Sequence, residues 1–266
     1  MGKFDGILIC TDLDGTLYRN DKSISAENRE AIEYFKSEGG YFTFITGRMP
    51  YYSQTAYEAV RPNVPFGCVN GGGLYDGSVG RYVWTTELSS DALSFVGHIY
   101  EGFPNVGIQL CGFEATFFAK ENDVTARFRR IANLPENPCN YRGFTVPMAK
   151  IIFCTAVEKE LFDVEKALRE HELGDRFDFI RSERTLFEIL PKGVSKALAL
   201  TKLAEYLSVD MSRTIAIGDY DNDASMLRAA GCGIAVSNAS KAALDAADRV
   251  TVSNEEHAIA KVISDL

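Results

Sequence analysis

Asp12 and Asp14, two positions apart, follow the apolar run Gly6-Ile7-Leu8-Ile9-Cys10 and precede Gly15. The run reads as a short strand buried on both faces, and the glycine lets the chain turn sharply out of it. Residues two apart in an extended segment face the same side, so the spacing predicts both carboxylates aimed at one spot at the strand's carboxyl end. Two carboxylates so placed repel unless a cation or a shared proton relieves them. Open α/β sheets bind their ligands at this edge. An ordinary acidic turn would also account for Thr11-Asp12-Leu13-Asp14-Gly15-Thr16 taken alone.

Other strand ends carry complementary chemistry. Tyr41–Ile45 is expected to deliver Thr46-Gly47-Arg48, Phe66–Val69 to deliver Asn70, and Thr214–Ile217 to deliver Gly218-Asp219-Tyr220-Asp221-Asn222-Asp223. If these strands share a parallel sheet, Asp12, Asp14, Asp219 and Asp223 converge with a hydroxyl and several glycine amides. That set suits a hard divalent cation with oxygen ligands, Mg²⁺ foremost, which keeps waters and tolerates a substrate phosphate. An EF-hand is disfavoured because the spacing after Gly15 is wrong. Thr46, the Gly47 amide and Lys196, at the start of its helix, supply donors for a phosphate. Taken alone, Lys196 reads equally as a surface lysine, Arg48 as a grip on an anionic leaving group or the partner of a core acid, and Asn70 as a turn residue.

The elements that must position these residues alternate. Strand, helix (residues 26–38, with Ser25 as cap), strand, a helix opened by Pro50, and a third strand imply a parallel sheet. From about Tyr82 the texture changes to a mixed strand and helix layer of about 100 residues, and regular alternation returns after it. The expected fold is α/β: a doubly wound, Rossmann-like parallel sheet core from residues 1–81 and 187–266, with an inserted α+β domain at 82–186. The chain has 266 residues, 46% apolar and 24% charged, and a net charge of −9. That balance argues against a nucleic-acid or anionic-membrane partner. No run approaches the ~18 apolar residues of a membrane span, and the first residues read as neither a signal peptide nor a myristoylation site. Six scattered cysteines without a C-x-x-C pair read as reduced, in a cytoplasmic protein.

Asp12-Leu13-Asp14-Gly15-Thr16, Thr46-Gly47-Arg48, Lys196 and Gly218-Asp219…Asn222-Asp223 resemble the four ordered motifs of the haloacid-dehalogenase-like phosphatases. The insertion between the second and third motifs, and the Asn70-Gly71 step, resemble the Cof-type sugar-phosphatase branch. The resemblance covers the whole chain and departs from the pattern at Gly72, Ala197 and Ser237. It implies a magnesium-dependent phosphatase acting on a small phosphorylated metabolite, a sugar phosphate or a phosphorylated cofactor. Asp12 would be the nucleophile, forming an aspartyl-phosphate, and Asp14 the acid and then base, with a pKa above that of Asp12. Mg²⁺ would be held by Asp12, the Asp14 carbonyl and Asp219, with Asp223 completing or orienting the shell. Thr46, Gly47, Lys196 and Asn222 would hold the phosphoryl oxygens, and Arg48 and Asn70 would reach the substrate. The inserted domain would be a cap that reads the leaving group, with Phe117, Phe118 and Arg127 as candidates by character. A phosphomutase or phosphotransferase using the same nucleophile is the nearest alternative, and a phosphoacceptor domain without turnover a more distant one. Oligomeric state and the identity of the substrate stay open.

Overall fold

Strand β1, Leu8–Thr11, is buried at every residue, as a near-continuous apolar run in a parallel sheet must be. The computed structural model describes residues 2–266. After β1 come α1 (Ala26–Ser37), β2 (Tyr41–Phe44), α2 (Gln54–Val60), β3 (Phe66–Cys68), β4 (Gly73–Asp76) and β5 (Arg81–Thr85). Then follow α3 (Leu93–Gly102), β6 (Gly107–Gly112), β7 (Thr116–Lys120), α4 (Asp123–Ile131), β8 (Met148–Cys154), α5 (Glu158–Arg169), β9 (Phe177–Glu183) and β10 (Leu186–Pro191). The chain closes with α6 (Lys196–Leu207), β11 (Thr214–Gly218), α7 (Ala224–Ala229), β12 (Cys232–Ala235), α8 (Lys241–Ala246), β13 (Arg249–Val250) and α9 (Ala258–Ser264).

Two compact units result: residues up to Thr85 with Ser195–Leu266, and Thr86–Val194. The first is built on a parallel sheet of order β13-β12-β11-β1-β2. Leu8 and Cys10 of β1 share a core with Ala216, Ala235 and the apolar residues of α6, α7 and α8. Ile9, one step along, faces the opposite side of the sheet. In that same unit Asn28 of α1 accepts a hydrogen bond from the Ala260 amide in the first turn of α9, at 3.0 Å. Ser25 caps α1 as its position predicts, accepting from the Asn28 amide.

The third strand of the sequence reading does not extend the parallel sheet. β3 forms a single parallel bridge, Gly67 to Ile45 just past the end of β2, and belongs to an antiparallel sheet of order β3-β4-β5. The hairpin β4–β5 was not expected. Its signal is the Asp76-Gly77 step between two aromatic-rich runs, a hairpin turn signature.

The second unit carries an antiparallel sheet of order β7-β6-β8-β10-β9. Phe95, Val96 and Ile99 of α3 and Leu161, Val164 and Leu168 of α5 pack on Ile108, Leu110, Ile151, Phe153, Phe187 and Ile189. Leu186–Ile189 of β10 pair with β8, and β10 pairs with β9 along its whole length, so the strand lies wholly in this unit. The expected edge at residue 186 would have cut it from its partners. Phe118 is 4% exposed and lies under the Arg129 guanidinium, while Phe117 packs edge-on against Phe144 at 5.1 Å. Both therefore serve this unit's packing.

Residues 69–71 form the most constrained turn. Val69, Asn70 and Gly71 have φ of 56°, 53° and 101° in succession, a conformation costly for a β-branched residue. A Cβ on Gly71 would lie 1.9 Å from the Ser195 carbonyl oxygen, just before α6. Gly71→Ala is accordingly expected to lower stability by about 1–3 kcal/mol or more in urea unfolding; wild-type stability would mean that the turn is not held against α6.

Candidate active site

The chain leaves β1 at Thr11, and Asp12 donates its amide to the Ile217 carbonyl at 2.8 Å, still in register with β11. Its side chain is buried, and Oδ1 accepts from Lys196 Nζ at 2.5 Å. The same ammonium donates to Asp223 Oδ1 at 2.5 Å. Lys196 is the first residue of α6, whose N-cap is Ser195, so the helix start aims the charge at the sheet edge. Asp223 is fully buried, and its Oδ2 accepts the Asp219 and Tyr220 amides at 3.1 and 3.0 Å. Asp219 Oδ1 accepts the Thr16 hydroxyl at 2.8 Å. One oxygen each from Asp12, Asp219 and Asp223 lies within 4.8 Å of the others.

Gly15 is required at this point. It has φ of +86°, and a Cβ there would come 2.4 Å from Asp219 Oδ2. The turn that follows Asp12 therefore lies directly against the distant acidic loop.

Three carboxylates lie together, and one ammonium pairs with two of them. Burial drives the Asp12 carboxyl well above its ordinary value; Lys196 opposes this, and Asp223 and Asp219 reinforce it. Burial, then Asp223, pushes Asp219 up to about 6. Burial alone would lower Lys196, but Asp12 and Asp223 outweigh it and hold the ammonium above its usual range. Such a set of oxygen donors, with charge left unbalanced, fits a hard divalent cation, which would favour the ionised acids.

Asp14 behaves differently from the expectation. Its carboxylate is not among the three acids whose oxygens lie within 4.8 Å of one another. Arg48 grips it, Nε to Oδ2 at 3.0 Å and Nη2 to Oδ1 at 2.8 Å, and Lys22 Nζ adds a contact at 2.8 Å. Burial raises the Asp14 carboxyl, but Arg48 and Lys22 prevail and hold it below its ordinary value. The expected order, with Asp14 above Asp12, is thus reversed in this arrangement. Burial beside two other acids acts on Asp12, while two cations act on Asp14.

The other predicted residues join this edge. The Thr46 hydroxyl accepts the Arg48 amide at 3.2 Å, and its own amide donates to the Gly67 carbonyl at 3.0 Å. Gly47 backs onto Asn70, where a Cβ would meet Asn70 Oδ1 at 2.8 Å. Asn70 Oδ1 accepts from Asn222 Nδ2 at 3.1 Å, tying the segment after β3 to the acidic loop. Sequence reasoning missed Thr16 as a partner of Asp219, although it stood inside the quoted motif. It also missed Lys22, an exposed turn lysine with no sequence signal.

A family model of haloacid dehalogenase-like hydrolases matches residues 9–263. The chain belongs to the haloacid dehalogenase-like hydrolase family. The Cof-type resemblance of its motifs holds with it. Among relatives of this hydrolase is the Bacillus subtilis 5-amino-6-(5-phospho-D-ribitylamino)uracil phosphatase YitU, 30% identical over 97% of this chain and 96% of that one. The Escherichia coli phosphatase YbjI, named for the same substrate, is 28% identical over 96% and 94%. A haloacid dehalogenase-like hydrolase from Bacteroides thetaiotaomicron superposes with a TM-score of 0.86 at 26% identity, covering 97% of this chain and 98% of that one. No helix among the described residues is long and apolar enough to cross a membrane.

The acid cluster sets a pH dependence. Asp12 and Asp219 hold protons more tightly folded than unfolded. Between about pH 4, where unfolded carboxylates titrate, and about 6 for Asp219, the native hydrolase binds the extra protons, so its stability falls as pH rises. Asp14, with a lowered pKa, has the opposite sign and loses its contribution only as pH falls below that window. The cation-free Tm of wild type, measured relative to Asp219→Asn, is expected to decline across the window. A relative rise would contradict the assignment of the shift to this site.

Proposed function

We propose that this hydrolase is a Mg²⁺-dependent phosphatase that cleaves the phosphate monoester of a small metabolite through an aspartyl-phosphate on Asp12. The observation that carries this reading is the meeting of Asp12, Asp219 and Asp223 around Lys196 at the ends of β1 and β11. Two of these carboxylates, Asp12 and Asp223, are anchored by a helix-borne ammonium, and the three together supply oxygen donors for a cation.

Asp12 forms its O–P bond as the bond to the leaving alcohol breaks, and the departing oxygen takes a proton from Asp14. Water then gives a proton to Asp14 and attacks phosphorus, breaking the acyl phosphate and releasing inorganic phosphate. Thr46, the Gly47 amide, Lys196 and Asn222 are assigned to the phosphoryl oxygens, whose charge they neutralise and position. A divalent cation held by Asp12, the Asp14 carbonyl and Asp219, with Asp223 ordering the loop, would supply further charge neutralisation there. Asp14 takes up its proton only once Arg48 and Lys22 let go, and an anionic leaving group is a natural competitor for Arg48.

The relatives support the substrate class. YitU and YbjI are named for a phosphorylated ribitylaminouracil, so that compound heads the candidates, followed by sugar phosphates and phosphorylated cofactors. The unit at residues 86–194 is assigned the reading of the leaving group.

Asp12→Asn is expected to lower magnesium-dependent kcat by ~10⁴-fold or more with the fold retained by circular dichroism. Retained turnover in that variant would sink the mechanism. A panel of phosphorylated metabolites ranked by kcat/KM, with and without a sugar acceptor, should show release of inorganic phosphate with no dependence on acceptor. Acceptor-dependent transfer would favour a phosphotransferase instead.

A further inference from the structure

The loop between β12 and α8 touches the acid cluster from behind. Asn238 Nδ2 donates to the Gly15 carbonyl at 2.9 Å, and its Oδ1 accepts the Asn254 amide at 3.0 Å. These two bonds settle the orientation of the side-chain amide. Turned over, its oxygen would face the Gly15 oxygen and its NH₂ the Asn254 N–H. Asn254 is itself fixed, 3% exposed, with Nδ2 donating to the Tyr18 carbonyl at 3.0 Å. Two residues on, the Ser240 amide donates to the Asp219 carbonyl at 2.7 Å. One short loop therefore holds the peptide groups of both Gly15 and Asp219.

These peptide groups are also coupled to each other. Thr16 donates to Asp219 Oδ1 at 2.8 Å, and Gly15 leaves no room for a Cβ beside Asp219 Oδ2. The position of the Gly15–Thr16 peptide thus fixes the direction of the Asp219 carboxylate. We propose that Asn238, clasped by Asn254, is a positioning residue for the cation: it holds the Gly15–Thr16 peptide that orients Asp219. The inference rests on the cation assignment above and adds a residue that touches neither cation nor substrate. Loss of such an outer hydrogen bond lowers metal affinity by about 10–100-fold in comparable sites.

The test is Mg²⁺ and Mn²⁺ titration by calorimetry on the full chain, comparing wild type, Asn238→Ala, Asn238→Asp, Thr16→Val and the Asn238→Ala/Thr16→Val double variant. Asn238→Ala is expected to weaken binding about tenfold, with the cation-free Tm within a few degrees of wild type. Asn238→Asp keeps the size and the acceptor for Asn254 but loses the donor to Gly15, and it too is expected to bind more weakly despite its added negative charge. Because Asn238 acts through Thr16, the double variant should bind no more than about twofold more weakly than Thr16→Val. Affinity unchanged in Asn238→Ala, tighter binding in Asn238→Asp, or effects that multiply in the double variant would each overturn the proposal. Wild type that binds no cation would overturn the cation assignment and this inference together; the other failures leave the former standing.

Discussion

The first unit depends on one buried ammonium. Lys196 reaches Asp12 and Asp223 at 2.5 Å each, with almost none of its side chain exposed. An isolated buried charge of this kind would be strongly disfavoured, so the lysine and its acids require one another. The consequence is topological. Asp12 follows β1, Asp223 precedes α7, and Lys196 starts α6, so the ion pairs fasten the beginning of the chain to segments about two hundred residues away.

The balance remains incomplete, and that incompleteness is chemically useful. Three acids facing one ammonium leave charge that protonation or a cation must absorb. The backbone around them is held by features that cost stability on their own, such as the left-handed Val69 and Asn70 and the tight Gly15 approach. Strained and charge-frustrated positions persist where the surroundings over-determine them. Here the surroundings are a parallel sheet whose central strands β1 and β11 are buried at every residue, with the helices α6, α7 and α8 packed on it.

The second unit solves a different problem. Its antiparallel sheet sets one face against α3 and α5 in an aromatic and aliphatic core. It also buries an ion pair, Lys150 to Glu188 at 2.8 Å, with the Ser182 hydroxyl on the second carboxylate oxygen at 2.7 Å. A separate core explains why its sequence texture differs from the flanking alternation.

The sequence by itself determined the alternating strands and helices, the caps such as Ser25, and the acids at strand ends, because these follow from local periodicity and residue type. It also carried the four motifs in order, which is why the family was legible before any coordinates. The tertiary structure decided the rest. β3 left the parallel sheet because its pairing partner is the downstream hairpin, and β10 stayed with β8 and β9 because hydrogen-bond register is non-local. Asp12 and Asp14 took different partners, Lys196 for the first and Arg48 and Lys22 for the second. Only packing could place Arg48 and Lys22 on Asp14, and Thr16 and Asn238 around Asp219. Electrostatic environment is set by neighbours in space, which spacing along a chain does not record.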